Sequence, residues 1–176
     1  MYFVQGIGIT LLTTVLALVI GVALGIIVAL VRSAHDQQQQ GKRKNNVLGF
    51  FNVLANIYLT VIRGTPAMVQ LLIMWFVIWA SARSTTQNMV MCAVMTFGIN
   101  SGAYVAEIIR SGIMSIDAGQ MEAGRSLGLS YATTMKCVII PQAFKNVLPA
   151  LGNELITLLK ETSIVTVIGL KDLTKG

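Results

Sequence analysis

The residues in this sequence whose types and spacing suit binding chemistry lie in an apolar segment near its end. Glu154, Thr157 and Glu161 follow one another at three- and four-residue intervals, so on a helix their oxygens line one stripe. A charged group inside a bilayer costs about 2.5–3.5 kcal/mol, so it is expected to face protein, water or a ligand. Two carboxylates and a hydroxyl on one stripe suit an ammonium or guanidinium group. The stripe is therefore a candidate contact for a cationic group of a ligand.

A structural role for the same segment stays open. In that alternative, Glu161 and the adjacent Lys160 lie at the outer interface and extend their charged ends into water. Glu154 then pairs with a neighbouring span. The type and spacing of the residues alone do not separate the two roles.

The sequence gives no supported motif for covalent chemistry. It contains no H-E-x-x-H and no G-x-x-x-x-G-K-[ST] phosphate loop. Gly124, Ser126 and Gly128 match G-x-S-x-G, but no predicted strand precedes them, as that motif requires. Its single histidine, His35, lies in a polar stretch, and Cys92 and Cys137 have no partner at ligand spacing. We therefore expect no catalytic residues, no metal site and no cofactor bound by this chain. An intramembrane enzyme is the disfavoured alternative.

The segments that carry these residues are apolar enough for a membrane. Of the 176 residues, 55% are hydrophobic and 11% are charged, and the mean hydropathy is +0.73. The uncharged run from Ile7 to Val31 would measure about 37 Å as a helix, enough for a hydrocarbon core about 30 Å thick. A signal peptide is the alternative, but no cationic region precedes the run. The sequence predicts an all-α, multi-span membrane protein.

About four transmembrane helices and one interfacial helix are predicted. In the interfacial helix, apolar residues recur at three- and four-residue intervals, with Asn52, Asn56 and Thr60 on one polar stripe. An ordinary span is the alternative for that segment. The predicted spans are Ile7–Val31, Pro66–Ala82, Met89–Ile109 and Gln142–Leu170, and the interfacial helix is Val47–Ile62.

The distribution of basic residues predicts the orientation, because loops rich in Lys and Arg stay in the cytoplasm. If the first loop is inside, nine basic residues are inside: Arg32, Lys42, Arg43, Lys44, Arg63, Arg110, Arg125, Lys136 and Lys145. Three are then outside: Arg83, Lys171 and Lys175. The amino terminus is therefore expected outside, and the segment after Arg110 in the cytoplasm.

That cytoplasmic segment reads EAGRSLGLSYATTMKCVIIP from Glu122 to Pro141, and it resembles the EAA loop of permeases of ATP-binding-cassette (ABC) importers. The family pattern is Glu-Ala-Ala, three residues, Gly, nine residues, Ile, one residue and Leu-Pro. Departures from it are conservative and fall at Gly124, Val138 and Ile140. The matching positions here are Glu122, Ala123, Gly124, Gly128 and Pro141.

Local signals in this segment predict two short helices joined at a break. Gly128 favours a helix C-terminus, and Ser130 favours the N-cap of a second helix. The resemblance implies that the elbow, residues 120–141, docks in a groove of a cytoplasmic ATPase and passes its movement to the spans. Without the resemblance, the same residues indicate a helix-turn-helix linker.

Two further strings resemble the polar-amino-acid permeases, the histidine, glutamine, arginine and opine group. One is Arg63-Gly64-Thr65-Pro66 followed by Val69-Gln70-Leu71, which looks like that group's RGTP-x-x-x-Q segment. The other, AYVAEIIR, contains Tyr104, Glu107 and Arg110, and we expect its Glu107 and Arg110, spaced i, i+3, to hold the inner end of the third span. Structural roles are therefore assigned to Arg63, Gly64, Thr65, Pro66, Tyr104, Glu107 and Arg110.

The resemblance implies one type I transmembrane domain over residues 1–176, a permease of the bacterial inner membrane that imports a polar amino acid by alternating access. It also implies ATP and Mg on a separate ABC ATPase. Further expected partners are an extracytoplasmic substrate-binding protein, a second permease copy or sister permease, and membrane lipid. Nucleic acid is not expected, because the basic residues do not gather on an aromatic-rich polar face.

The permeases of this group usually have a fifth span. The expectation from the sequence is therefore a reading frame that continues past Gly176. The alternative function is a structural or regulatory membrane fragment that does not transport.

Overall fold

The protein was analysed as a computed structural model that describes residues 2–40, 46–82 and 84–170. Every regular element in these ranges is helical, which confirms the predicted all-α class. The α-helices are α1 (Tyr2–Gln40), α2 (Asn46–Gly64), α3 (Ala67–Ile73), α4 (Thr86–Met114), α5 (Ala118–Ser126), α6 (Tyr131–Thr134) and α7 (Ile140–Glu161). Two π-helical turns, Met74–Ile78 and Met135–Ile139, continue α3 and α6, and a 3₁₀-helix, Thr162–Ile168, follows α7.

Helices α1 and α4 pack closely because small residues face each other along their contact. A Cβ atom added at Gly21 would lie 2.8 Å from the Ser101 Cβ, and one added at Gly25 would lie 2.5 Å from the Val105 Cγ1. Any larger side chain at these positions would push the two helices apart. Small residues at an interface allow helices in lipid to gain van der Waals contact, so this pair forms the centre of the bundle.

A hydrophobic cluster joins α3, α7 and the 3₁₀-helix to this pair. Leu71 and Trp75 come from α3 and its π turn, and Leu158 and Val165 from α7 and the 3₁₀-helix. They pack together with fully buried Phe97 of α4. The bundle thus fixes where the polar residues of α4 and α7 meet.

Three described helices are long and apolar enough to cross a membrane: the Gly6–Asp36 part of α1, α2 and α4. The first and third predicted spans are therefore confirmed as helices, and both extend beyond the predicted bounds. Helix α2 has 19 residues, three more than the predicted interfacial helix, so its length does not exclude the alternative of an ordinary span.

The contacts of α2 nevertheless agree with an interfacial placement, which stays a prediction. Its buried Leu59 packs on Ala103 and Ala106 of α4, together with Val28 of α1. Those residues lie toward the same end of α1 and α4. Large apolar side chains on α2 face outward, namely Val47, Phe50, Phe51, Val53, Leu54, Ile57 and Val61, as expected for a helix in contact with lipid.

The second predicted span is shorter than the sequence indicated. A helix does begin after Pro66, as predicted, but it ends at Ile78, and its final turn is π-helical. That turn contains Trp75, Phe76, Val77 and Ile78, aromatic and β-branched residues of lower helix propensity. Residues 79–82 form a turn closed by a hydrogen bond from the Ala82 amide to the Trp79 carbonyl.

The last predicted helix, Gln142–Leu170, was also too long at its C-terminal end. The α-helix stops at Glu161, and a 3₁₀-helix follows. There, hydroxyls bond to carbonyls three residues back: Thr162 to Leu159 at 2.7 Å, and Ser163 to Lys160 at 2.7 Å. Side-chain bonds of this kind compete with the α-helical pattern.

The predicted orientation yields a labelling experiment. The basic cluster from Lys42 to Lys44 and the residues Arg83, Lys171 and Lys175 lie outside the described residues. In a Cys137→Ser background, we expect Ser84→Cys to react with a membrane-impermeant maleimide in intact cells, and Gln39→Cys to react only after the membrane is opened. Labelling of Gln39→Cys in intact cells would show that the predicted orientation is wrong.

Candidate functional site

The predicted elbow has the backbone geometry of a stiff, capped break. At the end of α5, the Gly128 amide donates to the Arg125 carbonyl at 3.0 Å, and the Leu129 amide donates to the Gly124 carbonyl at 3.1 Å. Gly128 has φ 82°, a left-handed conformation that glycine adopts at low cost. These two bonds form a Schellman motif. The helix stop predicted at Gly128 is therefore confirmed.

The second arm of the elbow begins as predicted but does not end as predicted. Ser130 caps α6, because its Oγ accepts a hydrogen bond from the Thr133 amide at 3.2 Å. However, α6 is not a separate short helix, since it runs through the π turn Met135–Ile139 into α7. Pro141 lacks an N–H and disturbs the regular i to i−4 pattern, which the π turn accommodates. Helix α6, the π turn and α7 thus form one continuous helical run.

A close contact braces the two arms. Gly124 of α5 lies against fully buried Thr134 of α6, and a Cβ atom added at Gly124 would lie 2.4 Å from the Thr134 Cγ2. The Thr134 hydroxyl also donates to the Ser130 carbonyl at 3.1 Å. The family pattern has alanine at the position of Gly124. Thr134 therefore occupies the space that the methyl group of that alanine would fill.

The outer surface of the elbow is exposed and partly apolar. Glu122, Ala123 and Gly128 are exposed, and the exposed fraction of Leu127, at the tip of the elbow, is 81%. A single exposed leucine does not identify a protein-binding surface, so docking through this surface stays a prediction. Sequence reasoning missed Leu127, although an apolar residue next to a predicted helix stop was a usable signal.

The polar stripe of α7 faces the middle of α4. The Ser101 hydroxyl, fully buried in α4, donates to the Glu154 Oε1 at 2.8 Å. This contact brings the carboxylate into the interior of the bundle. It is also the kind of contact that the structural alternative expected, a partner on a neighbouring span, although the partner is a hydroxyl and not a cation.

The two other residues of the stripe lie on the same side of α7. Glu161 is half-buried and follows Glu154 by seven residues, about two helical turns along α7. The Thr157 hydroxyl donates to the Asn153 carbonyl of its own helix at 3.0 Å. Within the described part of the chain, neither carboxylate forms a salt bridge. This polar face is thus acidic and retains capacity for a cationic group.

The residues given structural roles connect helices at one end of the bundle. Glu107 accepts from Arg32 of α1 at 3.2 Å and lies 3.5 Å from the Arg63 guanidinium of α2. Arg110 pairs with Asp36 of α1. Glu107 and Arg110 therefore do not act as an i, i+3 pair, because each forms an ion pair with another helix. The Arg63 guanidinium also lies over the Tyr104 ring, 5.7 Å from its centroid.

The break between α2 and α3 is tied to the middle of α4 by one side-chain amide. Gln70 Nε2 donates to the Ile62 carbonyl at 2.8 Å and to the Thr65 Oγ1 at 2.8 Å. Its Oε1 accepts from Asn100 Nδ2 at 3.0 Å. A single glutamine thus holds the turn that contains Gly64 and Pro66.

Sequence reasoning used Arg32 only to predict the orientation, placed Gln70 only in a family motif, and assigned no role to Asp36. A signal for Arg32 existed, because it is the first charge after the uncharged run of α1, and Glu107 is the lone acid of the third predicted span. Opposite charges near the same ends of two spans favour pairing. Nothing in the sequence alone showed that Gln70 and Asn100 meet.

The chain was compared with known families and proteins. The family described as "Binding-protein-dependent transport system inner membrane component" matches residues 21–175. The arginine transport system permease protein ArtQ of Bacillus subtilis is 41% identical over 174 residues, which are 99% of this chain and 74% of that protein. The glutamine transport system permease protein GlnP of Escherichia coli is 37% identical, over 98% of this chain and 73% of that protein.

Solved structures agree with these sequence relationships. A crystal structure of an amino acid ABC transporter with histidines aligns with a TM-score of 0.83 and 44% identity, over 99% of this chain and 75% of that chain. An inward-facing structure of the MetNI methionine ABC transporter aligns with a TM-score of 0.73 over 97% of this chain and 76% of that chain. Since its identity is 18%, the second alignment shows a shared fold alone.

Proposed function

The chain belongs to the family of inner-membrane components of binding-protein-dependent transport systems, and from that premise we propose that it imports a polar amino acid as the permease subunit of an ABC importer. The observation that carries the proposal is the partly buried Ser101–Glu154 hydrogen bond between α4 and α7. It places an acidic group within the bundle, on the helix that is continuous with the elbow.

The substrate class is proposed from two lines of support. Relatives at 41% and 37% identity are named as arginine and glutamine permeases. The stripe of Glu154, Thr157 and Glu161 supplies carboxylates, which suit the α-ammonium group of any amino acid and the guanidinium of arginine. Arginine is therefore the substrate with which the acidic stripe is best tested.

The energy for transport is proposed to come from a separate subunit. In this proposal ATP and Mg bind to a partner ABC ATPase, and the elbow around Gly128 docks on it through Glu122, Ala123 and Leu127. Movement of the elbow then tilts α7 directly, because α6, the π turn and α7 run on without a loop between them. An extracytoplasmic binding protein delivers the amino acid, and a second permease, identical or related, completes the path.

Removal of the Glu154 charge tests the proposed path. Glutamine at this position keeps an oxygen for the Ser101 hydroxyl and removes only the charge. Because hydrogen bonds to charged groups contribute about 1.5–3 kcal/mol, we expect Glu154→Gln to reduce arginine uptake about tenfold and glutamine uptake less. ATP-dependent uptake of both radiolabelled amino acids in proteoliposomes, with the ATPase and binding protein present, measures the difference.

The same preparation contains the control for a folding defect. Stimulation of ATP hydrolysis by the binding protein should persist in the Glu154→Gln variant, since the elbow is unchanged. Unaltered uptake of both amino acids would exclude Glu154 from the path. Absence of any amino acid uptake by the parent protein, despite stimulated ATP hydrolysis, would instead contradict the proposed substrate class.

A further inference from the structure

A polar cavity lies away from the candidate path, at the end of the bundle where α1, α2 and α4 meet. Its volume is about 470 Å³, and it is lined by Arg32, Asn56, Leu59, Thr60, Arg63, Gly64 and Glu107. Glu107 follows Ser101 by six residues on α4, about 9 Å along the helix axis at ~1.5 Å per residue. No residue of α7 lines it, so the cavity does not belong to the acidic stripe.

The charge of this cavity is positive. Two guanidinium groups share one carboxylate, and both approach the same oxygen, Glu107 Oε2, at 3.2 Å and 3.5 Å. Each of these contacts uses one nitrogen of a group that carries five N–H donors. With one negative and two positive groups, the cluster has a net charge of +1. A planar donor fork of this type suits phosphate oxygens.

The two arginines differ in solvent exposure, which fits a ligand that enters from the α2 side of the cavity. The Arg32 side chain is 17% exposed, whereas the Arg63 and Glu107 side chains are 43% and 38% exposed. Asn56 and Thr60 add an amide and a hydroxyl to the wall. The cavity thus offers several donors on a surface that is open at α2.

The open side of the cavity continues into an apolar surface. Val53 and Ile57 precede Asn56 and Thr60 by three residues on α2, so the four lie on one face of the helix. Val53 and Ile57 are more than half exposed. A ligand that binds there therefore meets a charged cavity next to a surface suited to hydrocarbon. Free phosphate and nucleotides have no hydrocarbon part for that surface.

We propose that this cavity binds the phosphodiester headgroup of an anionic phospholipid, with its acyl chains against Val53 and Ile57. Basic pockets between transmembrane helices are suited to such headgroups. The bound lipid would connect α2 to α1 and α4 at the point where Arg63 precedes the turn to α3. This is a lipid site of defined residues, beyond the general contact that any membrane protein has with lipid.

Native mass spectrometry of the delipidated chain in a mild detergent tests the site. Phosphatidylglycerol and phosphatidylcholine are added separately, and the lipid-bound fraction is measured. A basic residue near an anionic lipid is worth about 1 kcal/mol, so we expect about fivefold stronger retention of phosphatidylglycerol. Arg63→Gln should remove this preference, and Arg63→Lys should keep most of it.

Two further variants separate a lipid site from a purely structural ion cluster. Glu107→Gln removes the competing carboxylate, so it should raise phosphatidylglycerol retention about fivefold by the same estimate, whereas loss of a structural pair alone would not raise it. Arg125→Gln, the same substitution at an exposed arginine of the elbow, should leave retention unchanged. Helical content from circular dichroism verifies that each variant is folded.

Several results would overturn the proposal. Equal retention of the two lipids would show that the cavity has no preference for an anionic headgroup. Equal effects of Arg63→Gln and Arg125→Gln would show a non-specific charge effect. Displacement of phosphatidylglycerol by millimolar inorganic phosphate would show that free phosphate is the ligand. If Arg63→Gln does not fold, the response to Glu107→Gln still decides the question.

Discussion

Replacement of Gly128 with valine is expected to reduce ATP-driven uptake about thirtyfold while membrane insertion stays intact. Gly128 has φ 82° and is exposed, with no neighbouring atom within 4 Å of an added Cβ. The effect therefore arises from backbone strain and not from a steric clash. For a residue with a Cβ, this backbone conformation is less favourable by about 1–2 kcal/mol, and a β-branched residue rarely adopts it. A cost of 2 kcal/mol is about a thirtyfold change in population.

The uptake of amino acid and the hydrolysis of ATP must be measured together. If the elbow couples the two, Gly128→Val should lower uptake more than hydrolysis by the associated ATPase. The matched control is Gly128→Asn, because asparagine adopts left-handed conformations more readily than other side chains. Normal uptake by the valine variant would show that the elbow does not couple ATP hydrolysis to transport.

Local signals in the sequence were sufficient for parts of the elbow. The Gly128 stop and the Ser130 cap were predicted because each depends on residues within one or two helical turns. The continuation of α6 into α7 was not predicted. A proline normally indicates the start of a new helix, but at Pro141 a π turn accommodates the missing N–H and the chain stays helical.

Contacts between helices were less predictable than the helices. The sequence indicated that Glu107 and Arg110 hold the end of a span, and this role agrees with their ion pairs to α1 and α2. Apart from the Arg32–Glu107 pair, for which the charges gave a signal, their partners could not be deduced, because pairing depends on which faces of α1, α2 and α4 meet. That choice is made by small residues such as Gly21 and Gly25, whose close approach appears only in three dimensions.

The departure from the family pattern at Gly124 also depends on a contact that the sequence did not show. Gly124 stands where the family pattern has alanine, and the sequence offered no reason for it. In the structure, Thr134 lies in the space of the missing methyl group. The two positions are ten residues apart and meet only because the chain turns at Gly128. This pairing makes Gly124 and Thr134 a coupled unit.

The coupled unit yields the last prediction, that Gly124→Ala will disrupt the elbow and Thr134→Ala will restore it. An alanine Cβ would lie 2.4 Å from the Thr134 Cγ2 and 2.7 Å from its Oγ1. Thr134 is fully buried and β-branched, so it has little freedom to move aside. Overpacking of this kind costs about 1–3 kcal/mol, and we expect uptake to fall about tenfold to a hundredfold.

The double variant shows whether the loss comes from this contact. In Gly124→Ala with Thr134→Ala, both clashing atoms are absent, and the nearest remaining atom, the Cβ of residue 134, is 3.1 Å away. Uptake and thermal stability should recover most of the loss, giving an interaction free energy of about 0.5–3 kcal/mol between the two positions. Additive effects of the two substitutions would contradict the bracing contact. Full uptake by Gly124→Ala alone would show that the arms of the elbow can separate without loss of coupling, since α5 would then have to move away from α6 to admit the methyl group.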